Sequence, residues 1–167
     1  QVIAGDVGEA ETGNFGNFEL FDLSGNKYED INGDGQTTGD PGLGGVTIFI
    51  DMAGSGSNTA GDKVTTTADG TGYWAFTDLD WTVAGKTVYE VLPDGYVQTL
   101  GNLGYTVTGT SGTSQIGLNF ANFELFDVSG KKVIDADGNG VVEAGETTAH
   151  GGVTIYIDLN DNGQYDA

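Results

Sequence analysis

Apolar and polar residues alternate along short stretches of this chain, and glycine-rich turns separate the stretches. Alternation with a period of two is typical of β-strands that bury one face. The stretches are VTIFI from Val46, KVTTT from Lys63, YWAFT from Tyr73, KTVYEVL from Lys86, YTVTG from Tyr105 and IGLNFANFELF from Ile116. Nowhere do apolar residues recur at helical spacing over the length of a helix. The pattern therefore predicts an all-β protein with many short strands.

The chain also contains an internal repeat. The sequence NFGNFELFDLSGNK from Asn14 returns as NFANFELFDVSGKK from Asn119, which is 105 residues later. A unit of about 100 residues has the size of an immunoglobulin-like sandwich, and a fixed period is typical of tandem modules. We therefore predict antiparallel β-sandwich modules in series. The predicted domains are the C-terminal strand of a preceding repeat (residues 1–17), a complete repeat (18–122) and the N-terminal part of a following repeat (123–167).

The composition is strongly acidic and contains no cysteine. Five lysines and no arginine stand against 25 aspartates and glutamates, which gives a formal net charge of −20. Such a surface repels nucleic acid and anionic lipid, and no apolar run is long enough to span a bilayer. Without cysteine, neither a disulfide framework nor a thiolate metal site is available. We therefore expect no nucleic-acid partner and no membrane insertion, and the start at Gln1 without an initiator Met suggests a piece of a longer exported polypeptide.

One acidic loop has the spacing of an EF-hand calcium loop. In the sequence DADGNGVVEAGE, acidic or amide side chains alternate and glycines permit a sharp bend. Ca²⁺ takes roughly six to eight oxygens at about 2.3–2.6 Å, and alternate side chains of a tight loop converge on one point. The predicted ligands are the side chains of Asp135, Asp137, Asn139 and Glu146, the carbonyl of Val141, and Glu143 either directly or through water.

Two further loops carry variants of this pattern. Their predicted ligands are Asp30, Asn32, Asp34, the Gln36 carbonyl and Asp40 in the first loop, and Asp158, Asn160, Asn162, the Gln164 carbonyl and Asp166 in the second. Asp40 stands one position earlier than the usual closing glutamate, and the second loop reaches the last residue before any closing carboxylate appears. The segment from Asp51 has lost the alternate oxygens. Because the sequences beside the loops alternate like strands, we predict EF-hand-like calcium loops without helices.

The order of several segments resembles a known family of surface proteins. The segments are FELFDLSGNKYEDINGDGQTTGDPGLGGVTIFID, TTTADGTGYWAFTDL, YEVLPDGYVQT and SQIGLNFANF. Together they resemble the B-type repeats of serine-aspartate-repeat adhesins, called SdrD B-like domains, over essentially the whole chain. The resemblance implies a calcium-stabilised β-sandwich related to the collagen-adhesin B-type and transthyretin-like folds, in which calcium gives rigidity and protease resistance. Such repeats act as stalks or spacers of secreted or cell-surface proteins.

The resemblance also raises the question of an internal covalent bond. Some relatives with collagen-adhesin B-type folds join a lysine to an asparagine or aspartate through an isopeptide bond, helped by a buried glutamate before a P-x-G-Y turn. Glu90 in YEVLPDGY stands at the place of that acid. The lysine is expected on the first strand, where the best-matching positions hold Tyr28 and Val133. The neighbouring lysines, Lys27 among them, are out of that register, so we expect no cross-link.

No constellation typical of an enzyme is present in the sequence. The single histidine, His150, lies in a loop, cysteine is absent, and pairs such as Asp78 and Asp80 are not placed in a cleft by any pattern. We therefore predict a non-enzymatic, calcium-stabilised structural repeat, the stalk or spacer of an exported cell-surface or matrix adhesin-like protein. Its predicted partners are calcium ions and neighbouring repeats, and its predicted location is extracellular.

Two alternative functions stay open at this point. The first is an adhesion module whose loops, around residues 36–41 and 51–62, bind a host or matrix protein or a carbohydrate. The second is a subunit of an extracellular filament or surface layer, in which strand addition from another chain completes the partial repeats.

Overall fold

The computed structural model describes residues 16–166, which form β-strands and one short 3₁₀ helix, Trp81–Val83. The strands are β1 (Phe21–Glu29), β2 (Thr47–Asp51), β3 (Lys63–Thr66), β4 (Tyr73–Leu79), β5 (Thr87–Glu90), β6 (Tyr96–Leu100), β7 (Tyr105–Thr106) and β8 (Phe120–Glu124). The chain divides into two compact units: the first unit ends at Leu125 and the second unit begins at Phe126.

The first unit contains two four-stranded sheets. One sheet has the strand order β4-β1-β8-β6, and the other has the order β3-β2-β5-β7. Neighbouring strands are antiparallel with one exception, because β1 and β8 run parallel. The parallel pair places Lys27 beside Phe120 and Glu29 beside Asn122. The first and last strands of the unit therefore lie side by side in the middle of one sheet.

The hydrophobic core lies between the inner faces of these two sheets. Its members from the strands are Phe21, Leu23, Ile48, Ile50, Trp74, Phe76, Leu79, Val88 and Phe120. The indole of Trp74 packs against Phe76 and Phe120, with ring centroids 5.9 and 6.0 Å apart. Burying each large apolar side chain stabilises the fold by about 1.5–3 kcal/mol. Two sheets that bury a common core between them confirm the predicted all-β, sandwich-like fold.

The structure has eight strands over residues 16–166, and the alternating stretches predicted six of them. Each of the six predicted stretches contains a strand, but the last one becomes a strand only at Phe120. Two strands are not among the six stretches. Strand β1 was expected only as the first strand before the acidic loop, and β6, which directly follows the turn PDG and has partly buried apolar positions, was not predicted. The strand predicted at residues 1–17 falls largely outside the described residues. Within the described part of the chain, no helix is long and apolar enough to cross a membrane.

The second unit, described over residues 126–166, contains turns and one isolated bridge between Val133 and Ala149. The segment GGVTIYID repeats the sequence of β2 almost unchanged, yet it is not a strand here, and Ile155 and Ile157 are 77% and 72% exposed. In the first unit β2 pairs with β3 and β5. Residues 126–166 include no counterpart of those two strands, so the strand-like pattern has nothing to pair with.

Candidate functional site

The 135–146 loop wraps its backbone around its first carboxylate. The two oxygens of Asp135 accept the N–H groups of Gly138 and Gly140, at 2.7 and 2.9 Å. Both glycines have positive φ, 75° and 79°, a conformation that side chains disfavour. The hydrogen bond from the Gly140 N–H lowers the pKa of Asp135 most, and the bond from Gly138 lowers it further. The carboxylate is therefore ionised at neutral pH.

Three carboxylates converge at this loop. One oxygen each from Asp135, Asp137 and Glu146 lie within 4.8 Å of one another. Oxygens bound to one Ca²⁺ at about 2.3–2.6 Å lie at most about 5 Å apart, so the donor set fits this ion. Glu146 is only 8% exposed and accepts the N–H of Ala136 at 2.6 Å, which lowers its pKa. The structure thus brings the first, third and closing residues of the predicted site together.

The remaining side chains of this loop lie beside the three carboxylates. The amide nitrogen of Asn139 donates to Asp137 at 3.0 Å and to Glu143 at 2.7 Å. Glu143 also donates its N–H to Glu146 at 3.4 Å. These contacts place Glu143 next to the predicted ligands, as the sequence indicated, and the Asn139 amide supplies the positive end of a dipole among the acidic groups.

The 30–40 loop has the same backbone arrangement around Asp30. This side chain is fully buried and accepts the N–H groups of Gly33, Asp34 and Gly35 at 2.7, 3.2 and 2.9 Å. Burial alone would raise the pKa of Asp30, but hydrogen bonds from the Thr99 hydroxyl and from these N–H groups lower it. The loop is therefore organised by a buried, ionised carboxylate.

The ligand set of the 30–40 loop is less compact than that of the 135–146 loop. Asn32 donates to Asp34 at 3.0 Å, while the closing Asp40 accepts the N–H of Ile31 at 3.4 Å. Among residues 16–166, three acidic groups converge closely enough to hold a metal ion only in the 135–146 loop. The short side chain of Asp40 explains the looser closure that its position in the sequence suggested.

The 158–166 loop keeps the backbone arrangement as far as the described chain extends. Asp158 accepts the N–H groups of Asn162 at 3.2 Å and Gly163 at 2.6 Å. These hydrogen bonds lower the pKa of Asp158, and the bond from Gly163 has the larger effect. Asp166 accepts the side-chain amides of Asn160 and Asn162, both at 2.9 Å. All four predicted side-chain ligands of this loop are therefore neighbours.

The residues predicted to offer backbone carbonyls occupy matching positions in the three loops. Each donates its N–H to the side chain two positions earlier: Gln36 to Asp34 at 2.8 Å, Val141 to Asn139 at 2.7 Å and Gln164 to Asn162 at 2.7 Å. The loops thus share one backbone conformation, which follows from their common spacing of acidic, amide and glycine residues.

A fourth loop, 51–62, shares this conformation although its sequence had appeared to lose the pattern. Asp51 accepts the N–H groups of Gly54, Ser55 and Gly56 at 2.7, 3.0 and 2.7 Å. Asp62 accepts the N–H of Met52 at 2.8 Å, as Glu146 does from the residue after Asp135. The identical spacing of the first and closing carboxylates was the signal available in the sequence.

A buried charged cluster lies between the two sheets of the first unit. It consists of Lys27 on β1, Glu90 on β5 and Asn122 on β8, which we call the Lys–Glu–Asn cluster. The Lys27 Nζ lies 2.9 Å from the Glu90 Oε2, and the two side chains are 0% and 1% exposed. Asn122 is fully buried, and neither polar atom of its amide has a well-formed hydrogen bond among the described residues.

The expectation that Lys27 is out of register is wrong. Residues Phe21, Leu23, Gly25 and Lys27 share the buried face of β1, whereas Tyr28 is on the other face and only half-buried. The main chain at Lys27 also lies close to β4, since its N–H donates to the Gly72 carbonyl at 2.8 Å and a Cβ on Gly72 would collide with the Lys27 carbonyl. Lysine, glutamate and asparagine therefore meet in the core.

Burial shifts the pKa values of the two ionisable groups toward each other. It lowers the pKa of Lys27 to about 8, although the neighbouring Glu90 opposes the shift. It raises the pKa of Glu90, although Lys27 and the Asn122 amide oppose that shift. Both shifts favour a neutral amine beside a neutral carboxylic acid.

A scan against models of known protein families finds no match, and a search of curated proteins finds no significant one.

Proposed function

We propose that this chain is a calcium-stabilised structural repeat of an exported surface or matrix protein. The observation that carries the proposal is the convergence of Asp135, Asp137 and Glu146 in a loop whose backbone is repeated three more times. Like charges held this close repel one another, and a divalent cation removes that repulsion. The sequence repeat of 105 residues supports an array of such modules, strung as a stalk or spacer.

Calcium titration by calorimetry tests the proposal directly. We expect binding heat from the intact chain, loss of one class of sites in Asp135→Ala, and no loss in Asp127→Ala, which removes an exposed carboxylate of the same unit. Where the free calcium concentration is about 100 times the Kd, binding stabilises the folded loop by about 2.7 kcal/mol. A chain that shows no calcium heat and the same melting temperature with calcium and with a chelator would contradict the proposal.

The Lys–Glu–Asn cluster favours a second function, an internal cross-link that makes the repeat more stable. A buried lysine without its charge is a nucleophile, and the adjacent Asn122 offers an amide carbonyl. The Lys27 amine attacks the side-chain carbonyl carbon of Asn122, the bond from that carbon to the amide nitrogen breaks, and ammonia leaves. The protonated Glu90 delivers its proton to the departing nitrogen and then accepts one from the attacking amine, so that the step needs no further reactant.

Three observations support this chemistry over a structural ion pair. The pair is fully desolvated, which costs several kcal/mol unless further hydrogen bonds compensate. The only further partner of its carboxylate among the described residues is the Asn122 amide, and neither the carboxylate nor that amide makes a hydrogen bond of good geometry with the other or with any other group. Buried polar groups are usually satisfied, so a cluster of unsatisfied groups marks a functional site.

Intact-mass measurement tests the cross-link. The folded chain is expected to weigh one ammonia less than its sequence, and proteolysis is expected to give one branched peptide that contains both Lys27 and Asn122. Lys27→Met and Glu90→Gln should keep the full mass, whereas Lys63→Met, which replaces an exposed lysine, should still lose ammonia. The full unmodified mass in the folded wild-type chain would rule the cross-link out.

A further inference from the structure

The 30–40 loop and the Lys–Glu–Asn cluster are joined through the first residue of the loop. Asp30 directly follows β1, three positions after Lys27, and its backbone N–H donates to the carbonyl of Asn122 at 2.8 Å. Asp30 thus organises the loop with its carboxylate. With its backbone N–H it holds Asn122, which would supply the acyl group.

The end of the loop returns along the opposite side of β1. The N–H of Glu29 donates to the carbonyl of Pro41 at 3.0 Å, and the carbonyl of Lys27 accepts the N–H of Leu43 at 2.8 Å. An isolated bridge between Tyr28 and Gly42 continues this contact. The chain that enters the loop and the chain that leaves it therefore enclose the backbone that carries Lys27.

The middle of the loop rests on the strands next to Asn122. Gly33 lies against the ring of Phe123 on β8, where an added Cβ would be 3.4 Å from the ring. Gly35 lies against the carbonyl of Thr99 on β6, where an added Cβ would be 3.2 Å away. The pairing of β6 with β8 shifts register between Gln98 and Leu100, at this contact. The loop thus packs against Phe123, the residue after the acyl donor on β8, and against Thr99 on the neighbouring strand β6.

We infer that the 30–40 loop controls formation of the Lys27–Asn122 bond, with Asp30 as a positioning residue, and that a divalent cation, by drawing the separated carboxylates of the loop together, accelerates the reaction. The inference rests on the cross-link and the calcium loops of the proposed function. Acyl transfer depends steeply on alignment, and a displacement of about 1 Å costs about 100-fold in rate. A loop that is closed around Asp30 fixes the backbone of Asn122 relative to that of Lys27.

The experiment follows ammonia loss during refolding. Chain is recovered unfolded in guanidinium before the bond has formed, diluted into calcium or into a chelator, and its intact mass is recorded over time. We expect bond formation at least about 10-fold faster in calcium, no calcium effect in Asp34→Ala, and an undiminished effect in Asp94→Ala. The hydrogen bonds of Asp34 lie within its own loop, to Asp30, Asn32 and Gln36, and Asp94 is an exposed carboxylate in a turn outside the loops.

Substitutions of Asp30 separate positioning from cation binding. In chelator, Asp30→Asn keeps an oxygen for the loop N–H groups and should react nearly as fast as wild type, whereas Asp30→Ala should react at least about 10-fold more slowly. The pH dependence of the Asp30→Ala rate should keep its wild-type shape, because proton transfer belongs to Lys27 and Glu90. Fluorescence of the buried Trp74 confirms that each variant has folded.

Several results would overturn the inference, and they are distinguishable. Equal rates in calcium and chelator, in a chain that binds calcium by calorimetry, refute the control by the loop but leave both parts of the proposed function standing. An Asp30→Ala rate equal to that of wild type refutes the role of Asp30. If no ammonia is lost under any condition, the cross-link itself is refuted, and the inference falls with it.

Discussion

Lys27 is a charged residue with no exposed surface, and its neighbours determine what it can do. Desolvation makes the ammonium form expensive, and Glu90 at 2.9 Å provides a place for the proton. The proton that the pair shares can lie on the lysine, as an ion pair, or on the glutamate, as amine and acid. Only the second arrangement has a nucleophile, so the opposite shifts of the two pKa values favour the reaction that we propose.

The rate of cross-link formation should therefore depend on pH with a bell shape. Below the raised pKa of Glu90 the pair carries two protons and the amine is blocked. Above about pH 8, the pKa of Lys27, the pair has lost its shared proton and no acid remains for the leaving nitrogen. Initial rates of ammonia loss from refolding chain, measured across the pH range, check this. A rate that keeps rising well above pH 8 would show that Glu90 is not the acid.

At the scale of the elements, β1 shows what local pattern predicts and where it stops. Counting by twos from Phe21 places Lys27 on the buried face, so its burial was predictable from alternation alone. The loop backbone was predictable as well, because aspartate, amide and glycine spacing fixes where N–H groups meet a carboxylate. The family-based register missed Lys27 because it placed the lysine at Tyr28, one position away, and a shift of one residue exchanges the two faces of a strand.

The meeting of Lys27 with Glu90 and Asn122 depends on tertiary structure. Glu90 comes from the other sheet, and Asn122 comes from a strand that is close to β1 only because β8 pairs with it in parallel. No local pattern encodes that contact. The same limit explains the segment 152–158, whose sequence matches β2 but which has no neighbouring strand, since strand formation depends on partners as well as on alternation.

At the scale of the whole molecule, the cross-link would close nearly all of the first unit into one covalent ring. Positions 27 and 122 are 95 residues apart, and β1 and β8 are its first and last strands. A bond across a loop of this length restricts the unfolded chain and stabilises the fold by about 4–5 kcal/mol. In the proposed function calcium would act at the loops and the bond on the whole unit, so their contributions should be separable.

The double variant Lys27→Met with Glu90→Gln measures the contribution of the bond. Replacing a buried ion pair with neutral residues of similar size is often neutral or stabilising, so a large loss of stability would come from the missing bond. We expect the melting temperature to fall by at least about 10 °C in chelator. Lys63→Met should melt within a few degrees of wild type. Equal melting temperatures for the double variant and the wild type would contradict the prediction.

The parallel pairing of β1 with β8 also decides how the first unit responds to pulling. Strand β1 enters the unit and β8 leaves it, and both point the same way. Tension between the two ends of the unit slides the strands along each other, so their hydrogen bonds are loaded together in shear and not opened one after another. Lys27 and Asn122 span this interface. A covalent tie there would bypass the strands that follow β1 and precede β8, and the unit would transmit load without extending.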